Sequence, residues 1–253
     1  LHRLIRRQRQ MCIRDSGRIV SNVSLVRRDI YLGSRILKGA GISSVATHPN
    51  YRRRGYVKIL LEKRLDEITG KGLDFSPLFT GKPIIYEKLG WKTWPQKFWI
   101  AEKIKLPSDL KLNTKYENIK LIRHSNENLI KSVKRIYQQT MLSFPGALRR
   151  DEKYWKIYFY LFDIEDNDLF LLFSQENITT AYARIHWEGK ALLLGEMGID
   201  RRNKRGLKLI FHSIWNEVKK HGREKLIISL PPSHPLFEFL RSGGIELKKA
   251  LEE

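Results

Sequence analysis

In each half of the chain the spacing of apolar residues changes from that of a strand to that of a helix. This repetition limits the possible folds more than any other feature of the chain. From Arg18 to Thr47, valine and isoleucine alternate with polar residues in two stretches joined by a Gly-Ser turn, which predicts a pair of strands. From Tyr56 the apolar residues instead recur at helical spacing, and Leu73–Phe79 reads as a further strand. This order predicts a βαβ unit with a parallel strand pair in a mixed sheet.

The second half of the chain repeats this organisation, with basic residues and a glycine again preceding an amphipathic helix. Phe237 follows Gly206 at the same distance at which Tyr86 follows Gly55. We therefore predict an α/β chain of two tandem domains, although chance matching of a loose α/β pattern would give the same spacing. The predicted first domain covers residues 17–105 and is closed by a strand at Lys97–Leu106, and a linker at 106–117 joins it to a second domain at 118–253.

The first residues of the chain are interpreted as a segment foreign to the natural protein. Arg6–Ser16 can be encoded by the DNA of a transposon-type sequencing-library adapter. We interpret residues 1–16 as this adapter-derived segment and expect the first domain to be truncated at its natural N-terminus. Cys12, the one cysteine, lies inside it, so neither a disulfide nor a thiol nucleophile is expected. Resequencing the source locus tests the interpretation, which an intact gene encoding these residues would contradict.

The composition is that of a globular protein with a strong positive charge. Of the 253 residues, 42% are hydrophobic, and no apolar run is long enough to cross a membrane, so we expect a soluble cytoplasmic chain. The formal net charge of +21 should attract anions such as nucleic acids, acidic lipid surfaces and phosphorylated cofactors. The histidines are scattered and no H-E-x-x-H motif or cysteine pair occurs, so no metal site is expected.

Three consecutive arginines precede the first predicted helix, where positive charge is electrostatically unfavourable. Arg52, Arg53 and Arg54 lie between a turn at Pro49 and the helix that begins near Tyr56. Positive side chains oppose the positive end of a helix dipole unless an anion binds there. The free N–H groups of a helix start, together with the glycine that follows the arginines, suit a phosphate. A solvated basic turn is the alternative interpretation of the same residues.

The first loop resembles that of the GNAT acyltransferase superfamily, whose phosphate-binding pattern is Arg/Gln-x-x-Gly-x-Gly/Ala. The residues that carry the resemblance are V-A-T-H-P-N-Y-R-R-R-G at 45–55 and Y-E-K-L-G-W at 86–91. Three further features are similar to the Eis-like aminoglycoside and lysine acetyltransferases. These are the tandem arrangement, the bulky Val57 where Gly or Ala is usual, and P-G-A-L-R-R-D-E-K-Y-W at 145–155.

This resemblance implies that acetyl-CoA is the co-substrate and that no metal takes part. The loop that would hold its pyrophosphate consists of Arg52, Arg53, Arg54, Gly55, Tyr56 and Val57. The main chain of Val45, Ala46 and Thr47, at the end of the preceding strand, would pair with the pantetheine arm like an added strand. The alternative for these three residues is a role in the core strand only.

Tyr86 matches the tyrosine that members of the superfamily use to protonate the departing CoA thiolate. A phenol can deliver a proton without being ionised at neutral pH, whereas a helix residue with a solvated hydroxyl is the alternative. The acceptor amine would attack directly in a ternary complex. Glu87, His48 and Asp74 are candidates for its base by residue type alone.

The second loop departs from the superfamily pattern. Asn203 replaces the Arg/Gln, Lys208 replaces the Gly/Ala, and Phe237, which cannot donate a proton, stands in place of the tyrosine. We therefore expect the second domain to be catalytically silent and to form a wall of the acceptor site. The predicted function is N-acetylation of a small-molecule amine or a lysine, with two alternatives: a basic nucleic-acid-binding module, and a FemX-type transferase that uses aminoacyl-tRNA.

Overall fold

The structure, a computed structural model, describes residues 9–94, 97–102, 119–200, 204–222 and 225–251. The chain divides into two compact units, one of Leu1–Trp94 with Pro145–Arg150 and the other of Pro95–Phe144 with Asp151–Glu253. None of the described helices is both long and apolar enough to span a membrane. The predicted linker at 106–117 lies outside the described residues.

The first unit is built on a three-stranded antiparallel sheet in the order β1–β2–β5. Its elements are β1 (Arg9–Asp15), β2 (Arg18–Arg27), the hairpin of β3 (Ile30–Leu32) and β4 (Arg35–Leu37), β5 (Ala40–Thr47), α1 (Tyr56–Gly70) and α2 (Ile84–Glu87). Leu60 and Leu61 of α1 are buried against Val23 and Ile42 of the sheet, which confirms the helical face predicted from the apolar spacing.

The segment after α1 that was predicted to be a parallel strand pairs with β5 over only a few residues. Ala40 N–H donates to the Phe75 carbonyl at 3.1 Å, and Ile42 N–H donates to the Pro77 carbonyl at 3.0 Å. The bridge between Gly39 and Phe75 has the parallel direction. Beyond Ile42 and Pro77 the two segments have no further paired residues in the described part of the chain, so the second half of β5 keeps an open edge.

A β-bulge bends β5 at the place where this edge opens. The register with β2 shifts between Asn22 and Ser24, and Ser44 has a positive φ of 51°. The guanidinium of Arg64, which is 2% exposed, donates from Nη2 (2.9 Å) and Nε (3.3 Å) to the carbonyl of Val23, the residue opposite the bulge. Arg64 therefore links α1 to the bulged region of the sheet. The apolar face predicted for α1 did not include Arg64, because its side chain is charged.

The segment interpreted as foreign contains a strand. Residues Arg9–Asp15 form β1, which pairs antiparallel with β2, and Met11 and Ile13 pack against the core of the first unit. A period-two apolar pattern can occupy a sheet edge whatever its origin, so the interpretation of residues 1–16 stays a prediction.

The second unit contains a seven-stranded mixed sheet in the order β12–β6–β11–β10–β9–β8–β7. Its strands are β6 (Lys97–Glu102), β7 (Ile119–Ile122), β8 (Asp168–Gln175), β9 (Ile178–Glu188), β10 (Ala191–Ile199), β11 (Lys225–Ile228) and β12 (Lys248–Leu251). Its helices are α3 (Glu127–Met141), α4 (Glu152–Ile164), α5 (Lys204–Lys220) and α6 (Pro235–Ser242). The strands β10 and β11 are parallel and α5 connects them, as the repeat predicts.

Strand β6 corrects one sequence prediction. We expected Lys97–Leu106 to close the first sheet, but β6 pairs antiparallel with β11 and β12 in the second sheet. An alternating pattern predicts a strand but carries no information about its partner, and β11 offers an edge that β6 covers.

The glycine of the second loop is a second correction. Gly206 was expected to precede its helix as Gly55 precedes α1, but it lies inside α5. A Cβ at Gly206 would meet the Phe173 ring at 2.9 Å, so close packing, and not a positive φ, explains this glycine.

Candidate functional site

A cavity of about 560 Å³ lies in the first unit where β5 ends and α1 begins. It is lined by all nine residues predicted to hold a cofactor: Val45, Ala46, Thr47, Arg52, Arg53, Arg54, Gly55, Tyr56 and Val57. Tyr51, Lys58, Lys82 and Ile85 also line it. The structure thus brings the strand end and the arginine loop to one place.

The main chain of the loop presents free N–H groups to this cavity. Gly55 is the N-cap of α1 with a φ of 77°, and Arg53 has a φ of 63°. The first helical bond runs from Ile59 N–H to the Gly55 carbonyl, so the amides of Tyr56, Val57 and Lys58 have no partner within the helix. No side chain caps α1 and its first turn contains no acidic residue. Such a turn is suited to an anion.

The arginine side chains around the loop are exposed, and two of them are held by local contacts. Arg52 Nε lies 3.4 Å from the Thr47 carbonyl oxygen. Arg54 Nη2 donates to the Asn50 carbonyl at 3.3 Å, and its guanidinium lies 4.8 Å from the centre of the Tyr51 ring. Within the described ranges none of the three arginines forms an ion pair with a carboxylate, so their charge remains available to a ligand.

Tyr51 is a site residue that the sequence analysis missed. Its hydroxyl donates to Asp15 Oδ2 at 2.7 Å, which raises the pKa of the phenol, and its ring also meets His48 edge-on. These contacts fix the ring beneath the Arg54 guanidinium. An aromatic residue three positions before the arginine was the available signal, but such a spacing is common.

The open edge of β5 forms another part of the cavity. His48 N–H donates to the Val20 carbonyl at 2.8 Å. The N–H and C=O groups of every second residue, counted back from His48, therefore point toward β2. The N–H and C=O groups of Val45 and Thr47 therefore face the opposite edge. Apart from Arg52 at the Thr47 carbonyl, no described residue bonds to that edge. An extended ligand with amide groups could pair there as an added strand does.

The corresponding edge of the second unit is closed by its own side chains. His234 lies 3.2 Å through Nε2 from the Met197 carbonyl, while Thr140 Oγ1 bonds both the carbonyl (3.1 Å) and the N–H (3.2 Å) of Ile199. His234 Nδ1 accepts from Leu236 N–H, so the ring proton is assigned to Nε2, which donates to Met197. Burial lowers the pKa of His234 to about 4, and the ring therefore stays neutral at physiological pH.

Tyr86 lies beside the cavity and does not line it. Its side chain is 9% exposed, packs edge-on against Trp91 at 6.1 Å, and belongs to the core of the first unit. Burial raises the pKa of its phenol, against the opposing effect of a hydrogen bond from Thr80. The phenol is therefore protonated at neutral pH, and the role of Tyr86 as proton donor stays a prediction.

The three candidate bases each have a local structural partner. Asp74 Oδ2 accepts from Lys38 N–H at 2.7 Å, and His48 Nδ1 accepts from Asn50 N–H at 3.3 Å. Glu87 Oε1 accepts from the Thr93 hydroxyl at 2.5 Å. None of the three lines the cavity, so the structure singles out none as the base.

Part of the chain is similar in sequence to a known family of domains. Residues 1–94 match the family model of the acetyltransferase (GNAT) domain. This match confirms the GNAT acyltransferase resemblance for that part of the chain. No curated protein sequence matches the chain.

Solved structures show the same fold across both units. A probable N-acyltransferase of unknown function from Enterococcus faecalis aligns over 98% of this chain with a TM-score of 0.73 and 14% identity. A GCN5-related N-acetyltransferase from Anabaena variabilis aligns over 99% with a TM-score of 0.70 and 16% identity. Eis1 from Mycobacterium abscessus aligns over 90% with a TM-score of 0.63 and 14% identity. At these identities the likeness shows the fold.

The chain is shorter than these neighbours. It spans 61%, 64% and 58% of the Enterococcus, Anabaena and Mycobacterium chains respectively.

Proposed function

We propose, on the premise that residues 1–94 carry an acetyltransferase (GNAT) domain, that this chain is a cytoplasmic N-acetyltransferase. It moves the acetyl group of acetyl-CoA to an amine of a small molecule or a lysine. The observation that carries the proposal is the meeting of an open strand edge and an arginine-flanked helix start in one cavity of about 560 Å³.

The described residues suit the two chemically distinct parts of coenzyme A. The free amides of Tyr56, Val57 and Lys58 can donate to the oxygens of a diphosphate, and so can the guanidiniums of Arg52–Arg54, which have no carboxylate partner among the described residues. The main chain of Val45 and Thr47 can pair with the amides of the pantetheine arm. The Gly55 position has no side chain and no heavy atom within 4 Å of a built Cβ, so a ligand can approach the backbone.

The proposed reaction is a direct transfer. Acetyl-CoA supplies a thioester whose carbonyl carbon forms a bond to the acceptor nitrogen as its bond to sulfur breaks. Tyr86, whose pKa is raised by burial, is proposed to donate its proton to the leaving sulfur. The proton lost by the acceptor amine passes to solvent or a base that the described residues do not single out.

We propose that only the first unit binds the donor. In the second unit the bonds from His234 and Thr140 occupy the strand edge that a pantetheine arm would need. Phe237 stands where a proton donor is expected and is 4% exposed. Nothing in the comparisons favours the nucleic-acid-binding module or the transferase that uses aminoacyl-tRNA.

A thiol-release assay with a panel of amines tests the function. The panel contains an aminoglycoside, a polyamine and a lysine peptide, each with acetyl-CoA. We expect release with at least one of them, and Arg54→Ala should raise the KM for acetyl-CoA roughly tenfold because one charge-assisted hydrogen bond is lost. The exposed Arg35→Ala, on the β3–β4 hairpin, is the matched control and should leave the KM unchanged. A chain that neither releases thiol nor binds coenzyme A in a calorimeter would refute the proposal.

A further inference from the structure

The cavity contains more positive charge than a diphosphate requires. Its cationic lining residues are Arg52, Arg53, Arg54, Lys58 and Lys82, and among the described residues no aspartate or glutamate lines it. The diphosphate of coenzyme A carries about two negative charges, whereas a phosphate monoester adds roughly 1.5 to 2 more at neutral pH. The excess of cations therefore matches a ligand that carries both groups.

The cations are distributed over different segments of the chain. The arginines and Lys58 belong to the loop and first turn of α1, next to the free amides that suit a diphosphate. Lys82 lies outside this group, on the segment that leads into α2. It therefore reaches the same cavity from a different segment of the chain, together with Ile85.

Lys82 has a fixed backbone and an available ammonium group. Its N–H donates to the Thr80 hydroxyl at 3.0 Å, and Pro83 follows it, so the turn that carries it is defined. In the part of the chain that the structure describes, its Nζ has no carboxylate partner, whereas Lys58 has Glu62 at 3.8 Å. An exposed lysine without an ion pair can bind a phosphate at little cost in lost contacts.

From this arrangement we infer that Lys82 recognises the 3′-phosphate monoester of coenzyme A and makes the site selective for the 3′-phosphorylated donor. The inference rests on the proposed function, since it assigns a further contact to the same ligand. It predicts that the arginine loop alone supports binding of dephospho-coenzyme A, and that Lys82 supplies the additional affinity for coenzyme A.

Calorimetric titration of the full chain with coenzyme A and with dephospho-coenzyme A, at about 0.15 M salt, tests the inference. The wild type should bind coenzyme A roughly tenfold more tightly, as expected for one charge-assisted contact. Lys82→Gln should weaken binding of coenzyme A only and bring the ratio of the two affinities to about one. Lys88→Gln, an exposed lysine at the end of α2 that does not line the cavity, should keep the wild-type ratio.

The possible outcomes separate the two proposals. Equal binding of both ligands by the wild type, or equal weakening of both by Lys82→Gln, would overturn the role of Lys82 and leave the acetyltransferase proposal standing. Binding of neither ligand would overturn both.

Discussion

Tyr86 and Phe237 differ by one oxygen atom and occupy the same position in the two halves of the sequence repeat. Each is buried beside a tryptophan of its own unit, Tyr86 against Trp91 and Phe237 against Trp99 at 5.3 Å. The hydrophobic packing of this position is thus retained in both units. The hydroxyl, and with it the capacity to donate a proton, is present only in the first.

Replacement of Tyr86 by Phe should separate chemistry from binding. Because Phe preserves the packing against Trp91 and removes the proton donor, kcat should fall roughly 10²-fold while the KM for acetyl-CoA changes little. Steady-state kinetics at saturating amine measure both parameters. Tyr160→Phe, at a partly exposed position on α4, serves as control. An unchanged kcat would show that the proton comes from another group.

His234 makes the stability of the second unit dependent on pH. The unfolded chain takes up a proton at this residue near pH 6.5 and the folded chain only near pH 4, so stability falls as the pH decreases through this interval, by up to about 3 kcal/mol. In His234→Asn the amide oxygen can replace Nδ1 as the acceptor that caps α6, but the side chain does not titrate. The variant should therefore lose less stability on acidification than the wild type.

Urea unfolding at several pH values between 7 and 4 measures this dependence. The exposed His124→Gln is the control and should show the wild-type slope. If His234→Asn loses as much stability on acidification as the wild type, the buried imidazole is not the cause.

At the scale of elements, the two glycines of the repeat serve different physical purposes. Gly55 has a φ of 77° and open space around its Cβ position, so it permits the turn that opens α1. Gly206 has no positive φ and is packed against Phe173 and Ala181 inside α5. A loop that exposes amides in the first unit thus corresponds to a closely packed helix in the second.

Alanine substitutions should reveal this difference. Gly55→Ala should cost about 1 kcal/mol of stability and weaken coenzyme A binding several-fold, because a left-handed backbone conformation is unfavourable for alanine and the loop must shift. Gly206→Ala should lower the unfolding temperature through its clash with Phe173 but leave coenzyme A affinity unchanged. Calorimetry and thermal unfolding of both variants, with Gly70→Ala as a control in open space, provide the test. Equal loss of affinity in the two variants would contradict it.

At the scale of the whole molecule, the chain combines one unit with an open strand edge and one whose edge is closed. We expect one equivalent of acetyl-CoA to bind per chain, since His234 and Thr140 occupy the edge of β10. Equilibrium titration with a non-hydrolysable donor analogue measures the stoichiometry, and Arg54→Ala should abolish or weaken that single binding event. Two equivalent sites would contradict the proposal.

Local patterns in the sequence determined the elements and the position of the loop. Apolar spacing predicted α1 from Tyr56 to Gly70, and the arginines with Gly55 predicted an anion site that coincides with a cavity lined by every residue proposed for it. These features depend on the period of side chains and on backbone preferences within a few residues, which one sequence displays directly.

Tertiary structure decided the properties that depend on residues far apart in the chain. It placed β6 in the second sheet, buried Arg64 against the carbonyl of Val23 opposite the bulge, and brought Lys82 to the cavity. It also closed one strand edge with His234 while leaving the edge at Val45 and Thr47 open. The apolar pattern of a strand does not depend on which strand it pairs with. Whether its main-chain N–H and C=O groups are hydrogen-bonded or left open is fixed only when distant segments pack together.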